Sequence, residues 1–141
     1  MATVDYGDKC NSFVEKGGFV SVIEESLRLV LAVDGVQVAA LVDIATGTVV
    51  RSAGDAGPGF ADTAACVAEE ARACRAAPGP GSPGGELDEF SVMTTSRIHL
   101  ARVLNGRPGE GLVLFADLDK ARGNLALASL RVGEVAAAVV A

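Results

Sequence analysis

Between residues 19 and 33 apolar side chains return every three or four positions, at Ile23, Leu27, Val30 and Leu31, with Glu24, Glu25 and Arg28 between them. That spacing predicts a helix with one apolar face. Asp34-Gly35 ends it, because glycine accepts the left-handed backbone that a helix C-terminus commonly requires. The rhythm then changes. Residues 37–43 are too short for a helix and apolar on both faces, which marks a central strand, while residues 48–52 are β-rich and more polar. The stretch DGVQVAALVDIATGTVVRS therefore reads as a hairpin inserted between two helices.

A glycine-rich connector over residues 54–59 leads into a second helix over 60–77, with Pro58 placed to precede or enter its first turn. Phe60, Ala64, Val67, Ala71 and Cys74 form a narrow stripe on it, and Ala61, Ala65, Ala68 and Ala73 keep the rest of its surface small, so another backbone can come close. PGPGSPGG, residues 78–85, cannot pack a core and is a loop within the domain. Three strands follow, over 87–95, 97–104 and 111–118, separated by Ser96 and by the turn Asn105-Gly106-Arg107-Pro108-Gly109, and these short connections predict a meander. The last of the three, LVLFADL, is almost continuously apolar, as a strand in the middle of a sheet is. The first is punctuated by Asp88, Glu89, Ser91, Thr94 and Thr95, as an edge strand is. Leu125, Ala128, Val132, Val135 and Val139 then share one face of a third helix over 121–141, with Gly133 as its weak point. Residues 1–18 read as an N-terminal arm and 19–141 as one domain. The order α-β-β-α-β-β-β-α predicts an α+β fold, a single five-stranded antiparallel sheet with helices against it.

Composition narrows the interior and the partners. In 141 residues, 50% are hydrophobic but only 4% aromatic, so the core must be built from Ala, Val and Leu and packed closely. The net charge is -6 and no Lys/Arg cluster could neutralise several phosphates in a row, which argues against nucleic acid as a partner. Cys10, Cys66 and Cys74 form no CxxC pair, and no apolar run approaches membrane-spanning length, so the expectation is a soluble protein of the reducing cytoplasm.

Candidate chemistry is sparse. Gly54, Gly57 and Gly59 stand between a strand and a helix, but no GxxxxGK[ST] accompanies them and the reading is a plain loop. Asp117 and Asp119 flank Leu118 without a further acidic or His residue to complete a metal set, and are read as helix-capping or turn residues ahead of Ala121. His99, the only histidine, has no partner assignable by spacing and is read as a solvated strand side chain. Cys66 and Cys74 lie too far apart along one helix to bridge each other and are read as buried thiols. No catalytic residue, cofactor site or metal site is assigned.

The helix-to-hairpin phrase VDGVQVAALVDIATGTVV, the strand GLVLFADL leading to GNLALASL, and the order of elements resemble the roadblock family of dynein light chain domains, from about Val20 to the C-terminus. The bacterial members of that family include partners of small gliding-type GTPases. The resemblance implies a strand order 2-1-5-4-3, with the first and third helices on one face and the second on the other. It also implies that two subunits pair their third strands and second helices into one ten-stranded sheet. The edge character of residues 87–95 and the small-sided second helix independently point to an isologous homodimer, whose expected interface comprises Phe60, Ala64, Val67, Ala71, Cys74, Leu87, Glu89, Ser91 and Met93. The function the resemblance implies is a non-enzymatic module that binds a Ras-like small GTPase and senses or modulates its nucleotide state. It would do so by positioning the GTPase's own switch groups and without supplying an arginine finger, in a complex that extends to a sensor-kinase-like protein. The competing readings are a generic dimerisation scaffold and a longin or PAS-like small-molecule sensor with a pocket between sheet and helix, against which last stand the few aromatic and polar groups available to line it.

Overall fold

A computed structural model describes residues 18–76, 86–105 and 111–140. Residues 1–17 of the expected N-terminal arm with Cys10, the whole Pro/Gly loop over 78–85, and residues 106–109 of the expected turn lie outside the described residues. Helix α1 (Gly18–Leu31) leads to β1 (Val36–Asp43) and β2 (Val49–Gly54), α2 (Phe60–Ala76) follows, and β3 (Glu89–Met93), β4 (Arg97–Leu104) and β5 (Leu112–Asp119) precede α3 (Leu125–Val140). The five strands form one antiparallel sheet in the order β2-β1-β5-β4-β3. Both the order of elements and the order of strands agree with the sequence expectation.

Side chains of a strand alternate between its two faces, so the sheet makes two cores. Ala39 and Leu41 of β1, Ile98, Leu100 and Leu104 of β4, and Leu112, Leu114, Ala116 and Leu118 of β5 pack under α1 and α3, which contribute Ile23, Leu27, Val30, Ala128, Val132, Ala136 and Val139. Val38, Ala40, Val42, Ala101, Val103, Val113 and Phe115 face the other way, against Phe60, Ala64, Val67, Ala68 and Ala71 of α2. The ring of Phe60 stacks on that of Phe115 at 6.1 Å between centroids. The one buried polar residue among those described, Ser26, donates its hydroxyl hydrogen to the Val22 carbonyl at 2.7 Å and so carries no unsatisfied group into the interior.

Several ends differ from the sequence reading, each for a local reason. The first helix stops at Leu31 and its last turn tightens, with Val33 N–H donating to the Val30 carbonyl. The last helix starts at Leu125, four residues later than expected, because Asp119 closes a turn through its side chain to Ala121 N–H and its carbonyl to Gly123 N–H. Asn124 then caps the helix, its Oδ1 accepting from Leu127 N–H at 3.0 Å. Asp119 is therefore a turn residue and not the helix cap. The edge strand β3 is five residues long, not nine, since Thr94 Oγ1 accepts from the N–H groups of Ser96 and Arg97 and turns the chain into β4. On α2, Arg72 reaches the carbonyls of Ile44 and Ala45 and ties the β1–β2 turn to the helix.

Two glycines test how tightly these connections meet. Gly35 has φ +88, and a Cβ added there would lie 2.6 Å from Gly123 Cα, backbone against backbone. Gly57 has φ +62 and open space around it. Gly35→Ala is expected to lose about 2–4 kcal/mol of unfolding free energy in urea titration, from the left-handed backbone together with the clash, and Gly57→Ala about 1 kcal/mol from the backbone alone. Equal losses would show that the Gly35–Gly123 approach contributes nothing.

Candidate interaction site

β3 is hydrogen-bonded to β4 alone and is the open edge of the sheet on its side. Val103 N–H donates to the Asp88 carbonyl and Thr94 N–H to the Arg97 carbonyl, each at 2.9 Å. In an antiparallel ladder the residues bonded to the neighbour alternate with those whose N–H and C=O point away. The outward backbone groups are therefore those of Glu89, Ser91 and Met93, three of the residues expected at a subunit interface.

Their side chains stand on the α3 face of the sheet. Glu89 Oε1 accepts from Arg102 Nη1 at 3.1 Å and its Oε2 from the Ser129 hydroxyl at 2.6 Å, while Arg102 Nη2 lies 3.3 Å from Asp88 Oδ2. The Arg102 guanidinium passes beside Gly133 of α3. Leu87 and Phe90 pack instead against the core under α2, and Met93 is exposed. Asn105 fixes the approach to the strand by donating Nδ2–H to the Leu87 carbonyl at 2.9 Å.

The α2 residues expected at the interface are placed differently. Phe60, Ala64, Val67 and Ala71 are buried against the protomer's own sheet, so the stripe read from the sequence is the inward face of the helix. Any surface that α2 offers to another chain is carried by its exposed positions, among them Ala65, Cys66, Glu69, Ala73 and Cys74. The reading of Cys66 and Cys74 as buried thiols is thus corrected: both are exposed and unpaired in a disulfide. Cys66 lies on the outward side of the helix and Cys74 continues the line of the stripe at an exposed last turn, and a sequence with alanine on every side of the helix gives little sign of which face turns in.

At the end of the sheet beyond α2 a second polar cluster corrects the reading of His99 and Asp117. The β4–β5 register sets His99 opposite Asp117. Asp117 Oδ1 accepts from Arg97 Nε and Nη2 at 3.0 and 2.9 Å, and His99 Nε2 lies 3.5 Å away. The imidazole meets Phe115 edge-on at 5.4 Å. His99 is only half-exposed and has a carboxylate neighbour, so it is no isolated solvated side chain. Asp117 is a cross-strand ion-pair partner and caps nothing. The signal lay in register: two strands joined by a short turn place residues 99 and 117 opposite each other, which spacing alone does not reveal. The glycines Gly54, Gly57 and Gly59 form a plain connector, all at positive φ, with the Gly59 carbonyl accepting from the first-turn N–H groups of Asp62 and Thr63. Among the described residues no three His, Cys, Asp or Glu side chains are grouped to hold a metal ion, and no helix is long and apolar enough to cross a membrane.

No family model and no curated protein sequence matches the chain. Solved structures do match. A gliding protein, MglB, from Thermus thermophilus superposes with a TM-score of 0.66 at 20% identity, covering 86% of this chain and 90% of its own. A Roadblock/LC7 domain from Streptomyces avermitilis gives 0.66 at 18% identity over 79% and 88%. MglB of Myxococcus xanthus gives 0.63 at 18% identity over 85% and 83%. At such identities the likeness is one of architecture, and the architecture of this chain is the roadblock fold.

Proposed function

We propose that this chain is a non-catalytic, homodimeric regulatory module of the cytoplasm that binds a Ras-like small GTPase and senses or modulates its nucleotide state within a signalling or polarity complex. The likeness of fold to structures that include a gliding protein and a Roadblock/LC7 domain carries the reading. The open β3 edge supports the dimer: a second β3 antiparallel to the first would satisfy the outward groups of Glu89, Ser91 and Met93, and a two-fold axis there would bring the exposed side of α2 against its copy. The chain's part in regulation is to hold the GTPase's switch elements in place, since phosphoryl transfer depends on positioning and charge stabilisation that the GTPase itself supplies. A sensor-kinase-like protein fits the same complex as a further partner.

Light scattering after gel filtration is expected to give twice the 14.2 kDa chain mass. Ser91→Pro removes one outward N–H without touching the bonds to β4, so it should yield a folded monomer. A monomeric parent, or a dimeric Ser91→Pro variant, would rule out edge pairing. In a Cys10→Ser background, mild oxidation should link subunits through the exposed Cys66 or Cys74 on a non-reducing gel, and a band only at monomer mass would place the α2 helices apart. Pull-down with a small GTPase encoded by a neighbouring gene, loaded with GDP or with a GTP analogue, should retain the chain with a clear preference for one state. No retention in either state would sink the GTPase reading.

A further inference from the structure

The two ends of the β3 edge carry opposite charge. At its start one guanidinium serves two carboxylates: Arg102 Nη1 donates to Glu89 Oε1 at 3.1 Å, and Nη2 lies 3.3 Å from Asp88 Oδ2. Ser129 donates to Glu89 Oε2 at 2.6 Å, so the Glu89 carboxylate is held from two sides and is not free to swing away from an approaching chain. At the other end Met93, Thr94, Thr95 and Ser96 are uncharged, and Lys120 brings its ammonium to the Thr94 carbonyl at 3.2 Å. Nearby Arg97 is paired with Asp117, and Asp119 is engaged in its own turn.

An antiparallel copy bonds only where outward residues meet outward residues, so the possible registers differ by two residues. With Ser91 opposite Ser91 of the partner subunit, Glu89 faces the partner's Met93, and all three outward residues are paired. A slip of two in either direction leaves one of them without a partner. On the α2 face this register sets the half-buried Phe90 against the partner's Val92 at the closely spaced, non-bonded position, an aromatic and β-branched pair. The slip that centres on Phe90 sets Val92 against the partner's Asp88 instead. It also brings the two Glu89 residues from about 14 Å apart to about 8 Å, from beyond the Debye length of about 8–10 Å to within its reach. The slip the other way opposes Phe90 with the partner's Thr94.

We propose that two copies of this chain pair their β3 strands about a two-fold axis through Ser91, and that Glu89 is the residue that fixes this register. The inference rests on the homodimer reading and adds which residues meet in it. The acidic start of each strand lies against the uncharged end of the other, where Lys120 supplies the opposite sign. Arg102 and Ser129 act through Glu89, by keeping its carboxylate where a slipped copy would meet it.

The test is disulfide trapping in the full chain, with Cys10, Cys66 and Cys74 replaced by serine and one cysteine introduced in turn as Phe90→Cys, Ser91→Cys or Val92→Cys. Directly opposed bonded residues have Cα atoms about 5.5 Å apart, within the range a disulfide spans, whereas positions offset by two residues stand at about 7–8 Å, outside it. Under brief oxidation Ser91→Cys should link subunits at least about tenfold faster than the other two. Adding Glu89→Gln should narrow that ratio, slowing Ser91→Cys and speeding Phe90→Cys. Salt at 1 M, where the Debye length is about 3 Å, should narrow it in the chain that keeps Glu89, a readout that does not depend on how the Glu89→Gln variant folds. A dimer by light scattering in which Phe90→Cys or Val92→Cys links as fast as Ser91→Cys would overturn the register and leave the homodimer standing. A ratio unmoved by both Glu89→Gln and salt would overturn the role of Glu89. A monomer would overturn the proposal together with the homodimer reading.

Discussion

β5 lies at the centre of a sheet covered by helices on both faces, and the rest of the molecule answers to that position. Because the pleat sends alternate side chains to opposite faces, a strand buried on both sides has no register at which polar residues are harmless. Leu112, Leu114, Ala116 and Leu118 supply one core, Val113 and Phe115 the other, and polarity returns only at Asp117, where α2 no longer covers the sheet. With aromatics at 4% of the chain, neither core can be filled by bulk. The elements must approach closely, which explains alanines at Ala39, Ala40, Ala101 and Ala116 of the sheet and at Ala64, Ala68 and Ala71 of α2.

The two faces are covered unequally. Five strands about 4.8 Å apart span about 20 Å, while a helix with its side chains is about 10 Å wide. Two helices, α1 and α3, can roof such a sheet, whereas α2 alone cannot. Phe90 of the edge strand stays only half-buried on the α2 side, and Arg97, His99 and Asp117 occupy the uncovered end as a mutually paired polar group. The unfinished cover and the unpaired edge of β3 adjoin, which makes that side of the protomer the natural place for a second subunit.

Much of this was legible in the sequence because the period of apolar residues changes where the structure changes. The continuous run of β5, the two-sided β1 and the interrupted β3 mark the centre and one edge of the sheet. Element ends were less legible, since they depend on single hydrogen bonds such as those of Asp119 and Asn124. The candidate site was legible only in part. An apolar stripe shows that a helix turns a face inward but not what it meets, and the stripe of α2 meets its own sheet. The pairing of His99 with Asp117, and of Glu89 with Ser129 forty positions on, needs a register that local pattern does not contain.

Glu89 has a mechanical consequence. An edge strand bonded on one side would ordinarily be the first part of a sheet to fray. Here its first residue is held by Arg102 of the neighbouring strand and by Ser129 of the last helix, 40 residues away in sequence. Detaching β3 therefore breaks a side-chain bond to α3 as well as the ladder to β4. The rim is tethered to the last helix, so part of a load applied at the edge passes to an element that the ladder does not reach.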